Sequence, residues 1–204
     1  MWLYGIPGAG KTILRSTIIE NVKTICREEN RYAYFYFDFN DPPKQTVVGM
    51  LRSIIVQLCA GKARLPAELR ELHRHCDNGH QQPTLPGLIK IFLSLLINQT
   101  RTYLIMDALD ECSERKELLK VIRRIIQTQS THVNVLVTSR EEQDIKEGMQ
   151  GVISNIISLE CDGLDADIER HIQKCLENDM DWQNCGPNIR QEIQDALVKG
   201  AHGM

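Results

Sequence analysis

Apolar positions along the chain alternate between short continuous runs and stripes at helical spacing, and that alternation predicts an α/β architecture. Trp2, Leu3 and Tyr4 make a first short strand, and a helix is expected over residues 13–20. Residues 32–39 (Tyr-Ala-Tyr-Phe-Tyr-Phe-Asp-Phe) are dense in aromatics, which suit a pleated, half-buried surface, and Asn40-Asp41-Pro42-Pro43 breaks the run. Val47, Val48, Leu51, Ile54, Ile55 and Leu58 recur on one helical face, so 44–60 reads as an amphipathic helix. Leu65, Leu69, Leu72 and Cys76 mark a shorter helix closed by Gly79, and Leu85, Leu88, Ile89, Phe92, Leu95 and Leu96 mark another. Residues 102–107 are an apolar run ending in acid, the signature of a buried parallel strand. A helix carrying Leu118, Leu119, Ile122, Ile125 and Ile126 follows, then a strand at 133–137 and a last one expected over 152–159.

Strands and helices alternating in this way indicate a parallel central sheet covered on both faces, a three-layer arrangement. From residue 162 the texture changes. Leu164, Ile168, Ile172 and Leu176 sit four apart, as do Ile189, Ile193 and Leu197, and no further strand follows. Residues 1–160 are therefore expected to form the α/β core and 161–204 the start of a small helical domain. The first strand begins almost at residue 1 and the chain stops without a closing element, so a fragment of a longer protein is expected.

Composition narrows the partners. With 204 residues, 42% hydrophobic and 25% charged, the chain has the size and balance of a globular α/β domain with a small appendage. A net charge of −3 offers no electrostatic footprint for nucleic acid or for an anionic membrane, and neither is expected as a partner. No apolar run approaches the ~20 residues of a membrane span, and no secretory signal is visible. Seven scattered cysteines without a C-x-x-C pair suit a reducing cytoplasmic setting. His73, Cys76 and His80 do not read as a zinc site, because Cys76 lies on the apolar stripe while His73 is expected to point away from it.

Chemistry is concentrated in three places. Gly5-Ile6-Pro7-Gly8-Ala9-Gly10-Lys11-Thr12 matches G-x-x-x-x-G-K-[ST], set between a strand and a helix as that pattern requires. Glycines let the backbone close around an anion, and loop amides with the helix N-terminus point at phosphates. Pro7 has no N–H, so the cradle is built from Gly8 onward. Lys11 is placed to meet the β- and γ-phosphates of a nucleoside triphosphate, and the Thr12 hydroxyl to ligate Mg²⁺. Asp107, at the end of its strand, is expected at the sheet's C-terminal edge, close enough to Thr12 to share the hydrated Mg²⁺. Asp110 and Glu111 lie just beyond, where one can position or deprotonate the attacking water. Thr138-Ser139-Arg140 ends a strand expected to neighbour that of Asp107, and Arg140 is placed to sense the γ-phosphate.

These motifs together resemble the NACHT-type signal-transduction NTPases, with a texture like that of filamentous-fungal NACHT proteins carrying ankyrin or WD repeats and nephrocystin-3-like N-terminal domains. Ala108 after the Mg²⁺ aspartate, with acids at 110 and 111, is the most family-specific feature. The resemblance implies a slow Mg²⁺-dependent switch using ATP or GTP: closed with diphosphate, opened by exchange for triphosphate and reset by hydrolysis. It implies downstream winged-helix and repeat domains, homo-oligomerisation on activation, and a link to non-self recognition and cell death. It also implies that the Leu3 strand lies between the Ile105 strand and the late 152–159 strand. Two alternatives stay open. One is a nucleotide-clamped oligomerisation scaffold without useful turnover, against which Asp110 and Glu111 weigh. The other is a P-loop kinase, against which the lack of recognisable lid arginines weighs.

Overall fold

Each strand is followed by a helical return that brings the chain back to the same end of the sheet, so all the pairings are parallel. A computed structural model describes residues 1–26, 31–60, 64–97, 101–128, 132–159, 163–178 and 186–201. The strands are β1 (Trp2–Tyr4), β2 (Arg31–Tyr36), β3 (Thr102–Asp107), β4 (Val133–Ser139) and β5 (Ile156–Ser158). They form one five-stranded sheet in the order β2-β3-β4-β1-β5. The helices are α1 (Lys11–Ile25), α2 (Val47–Cys59), α3 (Ala67–His75), α4 (Leu85–Ile97), α5 (Arg115–Gln127), α6 (Gln143–Met149), α7 (Gly163–Asn178) and α8 (Pro187–Ala201). Within the described residues, no helix is long and apolar enough to cross a membrane.

The strand order corrects one expectation. β1 is flanked by β4 and β5, not by β3 and β5: Leu3 pairs with Thr138 on one side and Ile157 on the other. β4 pairs with β3 along its other edge, Ile105 opposite Leu136. Right-handed crossovers are compatible with either order. Which edge a returning helix delivers its strand to is a property of packing that periodicity does not encode.

The strand period of two divides the core. On one face Tyr32, Tyr34 and Tyr36 stack in a ladder, with ring centroids 6.4 and 5.2 Å apart, and pack with Leu3, Ile105 and Leu136 under Ile19 and Val22 of α1. On the other, Phe35 and Phe37 meet edge to face at 5.0 Å and join the larger cluster built from α2, α4, α5 and α6. β2 is an edge strand, and its exposed ladder groups invite further pairing. Gln57 of α2 covers one residue of that edge: its amide accepts from Tyr34 N–H at 3.1 Å and donates to Tyr34 C=O at 2.8 Å.

Element ends differ from the sequence reading for local reasons. α1 runs from Lys11 to Ile25, well past the expected 13–20. Residues 42–45 form a 3₁₀ turn, and α2 begins only at Val47, where Thr46 accepts from Gly49 N–H at 3.1 Å as an N-cap. Glu114 accepts from Val47 N–H at 2.8 Å, tying the start of α2 to the start of α5. The expected strand over 152–159 shrinks to 156–158, because Val152 and Ile153 both donate to the Met149 carbonyl as the chain turns out of α6. α6 itself was not expected. Ile145 and Met149, one turn apart, bury its inner face. His73, which is exposed, and the half-buried Cys76 both line a groove beside α3. Downstream, α7 and α8 pack on each other and Leu176 is buried. The side chains of Leu164 and Ile168, together with residues 202–204, lie outside the described residues.

Candidate functional site

The loop between β1 and α1 turns through two glycines in the left-handed region, Gly8 at φ +87° and Gly10 at φ +77°. A side chain at either would strain the backbone. Space around Gly10 is open, with no atom within 4 Å of where a Cβ would stand. Gly10 also caps α1 without any side-chain cap, so the first-turn amides of α1 face that space. Gly5 sits against Leu159, and the Ala9 N–H donates to Ile6 C=O at 3.3 Å, closing the turn. Lys11 Nζ donates to the carbonyls of Gly5 at 2.6 Å and Ile6 at 2.7 Å, which aligns the ammonium across the mouth of the loop.

β3 and β4 bring the acidic residues and Arg140 to the same edge. A cavity of about 330 Å³ is lined by Pro7, Gly8, Gly10, Lys11, Thr12 and Ile13 from the loop side. Asp107, Ala108, Asp110, Glu111, Thr138 and Arg140 line it from the other. All three sequence motifs therefore face one cavity, Thr12 and Asp107 included; Gly5 and Ala9 shape the loop behind it.

Each acid is held differently. Asp107 is buried, 6% exposed. Its Oδ1 accepts the Thr138 hydroxyl and its Oδ2 accepts Arg15 Nη1 at 2.6 Å. Asp110 accepts from Arg140 N–H at 3.0 Å and forms an ion pair with the same residue's guanidinium, Nε to Oδ2 at 3.2 Å. Glu111 accepts from Phe39 N–H at 3.0 Å and so braces the loop after β2. Ala108 takes a left-handed conformation, φ 58°, that swings the chain from β3 into the 3₁₀ turn 109–111, and its N–H donates to Thr138 Oγ1 at 3.1 Å. That bend is what separates Asp107 from Asp110 and gives each its own partner.

Two residues here were missed by sequence reasoning. Arg15 stands four residues after Lys11, one helical turn on, and so shares its face. That spacing was the available signal. Its guanidinium lies 4.1 Å over the Tyr36 ring as well as on Asp107, a cation–π contact that fixes its direction. Thr138 stands on β4 two residues before Arg140, which follows directly after the strand end. It is fully buried and touches both Asp107 and Ala108. Burial also raises the Tyr36 hydroxyl above its usual range, despite the opposing effect of Arg15.

The donor set fits a nucleotide and a hydrated divalent cation: orphan amides and an ammonium for phosphate, and a hydroxyl and a carboxylate for the metal waters.

Comparison with known proteins bears on the family and the fold. Over its whole length the chain is 27% identical across 213 residues to the vegetative incompatibility protein HET-E-1 of Podospora anserina, of which it spans 15%. In three dimensions it is similar to Cdc6p from Pyrobaculum aerophilum, with a TM-score of 0.52 and 13% identity over 78% of this chain and 38% of that one. The Orc1 protein of Aeropyrum pernix gives 0.52 and 11% identity over 86% of this chain and 43% of that one. These likenesses place the fold among P-loop NTPase domains. Residues 1–140 match the family described as "Nephrocystin 3, N-terminal", and the chain belongs to that family of NACHT-type P-loop NTPase domains.

Proposed function

We propose that the chain is the nucleotide-operated switch module of a larger cytoplasmic signalling protein, binding ATP or GTP with Mg²⁺ and hydrolysing it slowly. The observation that carries this reading is the single cavity in which the residue 5–12 loop faces Asp107, Asp110, Glu111 and Arg140. Gly8, Gly10 and the first turn of α1 receive the phosphates, Lys11 their charge, and Thr12 with Asp107 the hydrated metal. Mg²⁺ held by Thr12 and Asp107 would supply charge neutralisation for the phosphates. Asp110 or Glu111 orients water, and Arg140 exchanges its Asp110 contact for the γ-phosphate. Residues 1–160 form the nucleotide-binding core and 161–204 begin a helical subdomain, a division supported by the packing of α7 on α8. Winged-helix and repeat domains further along the parent protein, self-association on activation, and a role in non-self recognition or cell death extend the likeness to HET-E-1, of which this chain spans 15%.

A second reading, a nucleotide-clamped scaffold with negligible turnover, is favoured by one observation. Asp107 and Asp110 are each already engaged by an arginine, Arg15 and Arg140. Melting curves and hydrolysis assays separate the two. Ligand at 100 times its Kd stabilises by about 2.7 kcal/mol, so millimolar ATP or GTP with Mg²⁺ raises the melting temperature by roughly 5–10 °C, and the diphosphate does likewise. The monophosphate does little, because it cannot fill the loop. Lys11→Ala removes the shift. Asp110→Asn with Glu111→Gln keeps it but abolishes phosphate release; undiminished release would defeat the assignment of these acids, and an equal shift with AMP or GMP would defeat the loop.

A further inference from the structure

Arg15 carries a role that no phosphate-loop motif assigns. It projects from the second turn of α1, and its Nη1 lies 2.6 Å from Asp107 Oδ2, with both side chains largely buried, 13% and 8% exposed. Tyr36 supports it from below, the ring centroid 4.1 Å from Cζ. The grip is one-ended. Nη2 reaches only Ser16 Oγ, at 3.4 Å, and among the described residues Nε is buried without a hydrogen-bond partner. A guanidinium held by a two-pronged fork would be hard to dislodge; this one gives up a single charge-assisted contact to leave. The other oxygen of the carboxylate it holds is committed to Thr138. A divalent cation approaching Asp107 through its waters therefore meets a side chain whose charge is already balanced by a fixed neighbour on the loop helix.

We propose that Arg15 is a metal-competing gate: its guanidinium stands on Asp107 in place of the divalent cation, and the two exclude one another at that carboxylate. The proposal rests on the nucleotide reading above, because it takes Asp107 as the metal's anchor. Its direction is fixed by electrostatics. Two cations cannot share one buried carboxylate without strong mutual repulsion, so the cation binds against the cost of displacing Arg15 from the carboxylate toward solvent. Arg15 sits four residues after Lys11, so its displacement is felt on the same helix that holds the phosphates. Arg15 is thus a positioning residue, setting how much divalent cation is needed before the site is loaded.

Mn²⁺ binding to the nucleotide-free protein, followed by electron paramagnetic resonance, tests this directly. Arg15→Met is expected to bind one Mn²⁺ on the order of tenfold more tightly than the wild type, within the usual range of coupling between sites. Adding Asp107→Asn to that variant should erase the gain. The melting temperature of Arg15→Met should fall without divalent cation and recover with Mg²⁺ alone, while the wild type responds little. Equal Mn²⁺ affinity in Arg15→Met and wild type overturns the proposal, as does a gain that survives Asp107→Asn. Should Arg15→Met not fold, Arg15→Lys keeps the charge but shortens the reach, and its affinity should lie above that of wild type; identity with wild type overturns the gate. Melting shifts with ATP in the absence of divalent cation report the loop alone. Failure of the nucleotide reading would remove those shifts from wild type and variant together, whereas failure of the gate leaves them in place with matched Mn²⁺ affinities.

Discussion

Replacing Thr138 with valine removes one oxygen and almost no volume, which makes it a sharp probe of how the acidic edge is held. Thr138 is 0% exposed, donates its hydroxyl to Asp107 Oδ1 and accepts from Ala108 N–H at 3.1 Å. The first loss is a hydrogen bond to a buried carboxylate, about 1.5–3 kcal/mol. The second is the acceptor for an amide whose residue is already in the left-handed region, about 1 kcal/mol more. The added methyl returns somewhat less than 1 kcal/mol of burial. The balance is a destabilisation of about 2–3 kcal/mol, which for a chain of this length lowers the melting temperature by roughly 4–12 °C. Thr138→Ser is the control. It keeps the hydroxyl and loses one buried methyl, about 1 kcal/mol and roughly 2–4 °C. Circular dichroism melts of the three proteins at neutral pH decide the matter. If the valine variant melts no lower than the serine variant, the hydroxyl is not holding Asp107 and Ala108 together.

Gly49→Ala is expected to destabilise by about 1–3 kcal/mol, because a Cβ there would stand 2.1 Å from the Pro43 carbonyl oxygen and 3.1 Å from the capping Thr46 hydroxyl. The urea midpoint should fall with an unchanged slope, and an unchanged midpoint would refute the clash. Burial pushes the Cys112 thiol up to about 11, and the thiol lies against the Gln45 carbonyl at 3.3 Å, while Cys175 is exposed. Since the thiolate is the reactive form, iodoacetamide at pH 8 should label Cys175 first and leave Cys112 essentially untouched in the native protein. Peptide mapping by mass spectrometry checks the order, and comparable labelling of the two would refute it.

What was legible in the sequence was whatever chemistry demands of neighbouring residues. The loop at 5–12 must be contiguous to wrap a phosphate, and the apolar run of β3 must be nearly continuous to be buried on both faces, so each announces itself locally. Relations across the sheet do not. The contact of Thr138 with Asp107 depends on the β3–β4 register, Met106 opposite Val137, which neither strand states alone. Arg15 looks like any arginine on a polar helical turn until Asp107 and Tyr36 are brought beneath it. α6 is seven residues with two buried side chains, too short for periodicity to rise above its surroundings. Val152 and Ile153 read as strand by residue type but are consumed by a turn, an outcome set by where α6 ends. The strand order escaped for a similar reason: β1 and β3 each look central, and only packing shows that β4 stands between them.

That intermediate position gives β4 the character of a shared wire. Three consecutive residues at its end serve three listeners. Thr138 speaks to the acid of β3, Ser139 accepts from the Trp2 indole of β1 at 2.9 Å, and Arg140 closes on Asp110 in the following turn. β1 and β3 have no ladder of their own, so within the sheet this strand end is what joins them, beside the direct Arg15–Asp107 contact from α1. A tilt of β4 would alter both strands at once, and neither can be retuned by substitution without the other registering it. The module is therefore poor material for exchanging one motif at a time with a relative and better suited to transfer as a block, with β1, β3 and β4 moved together.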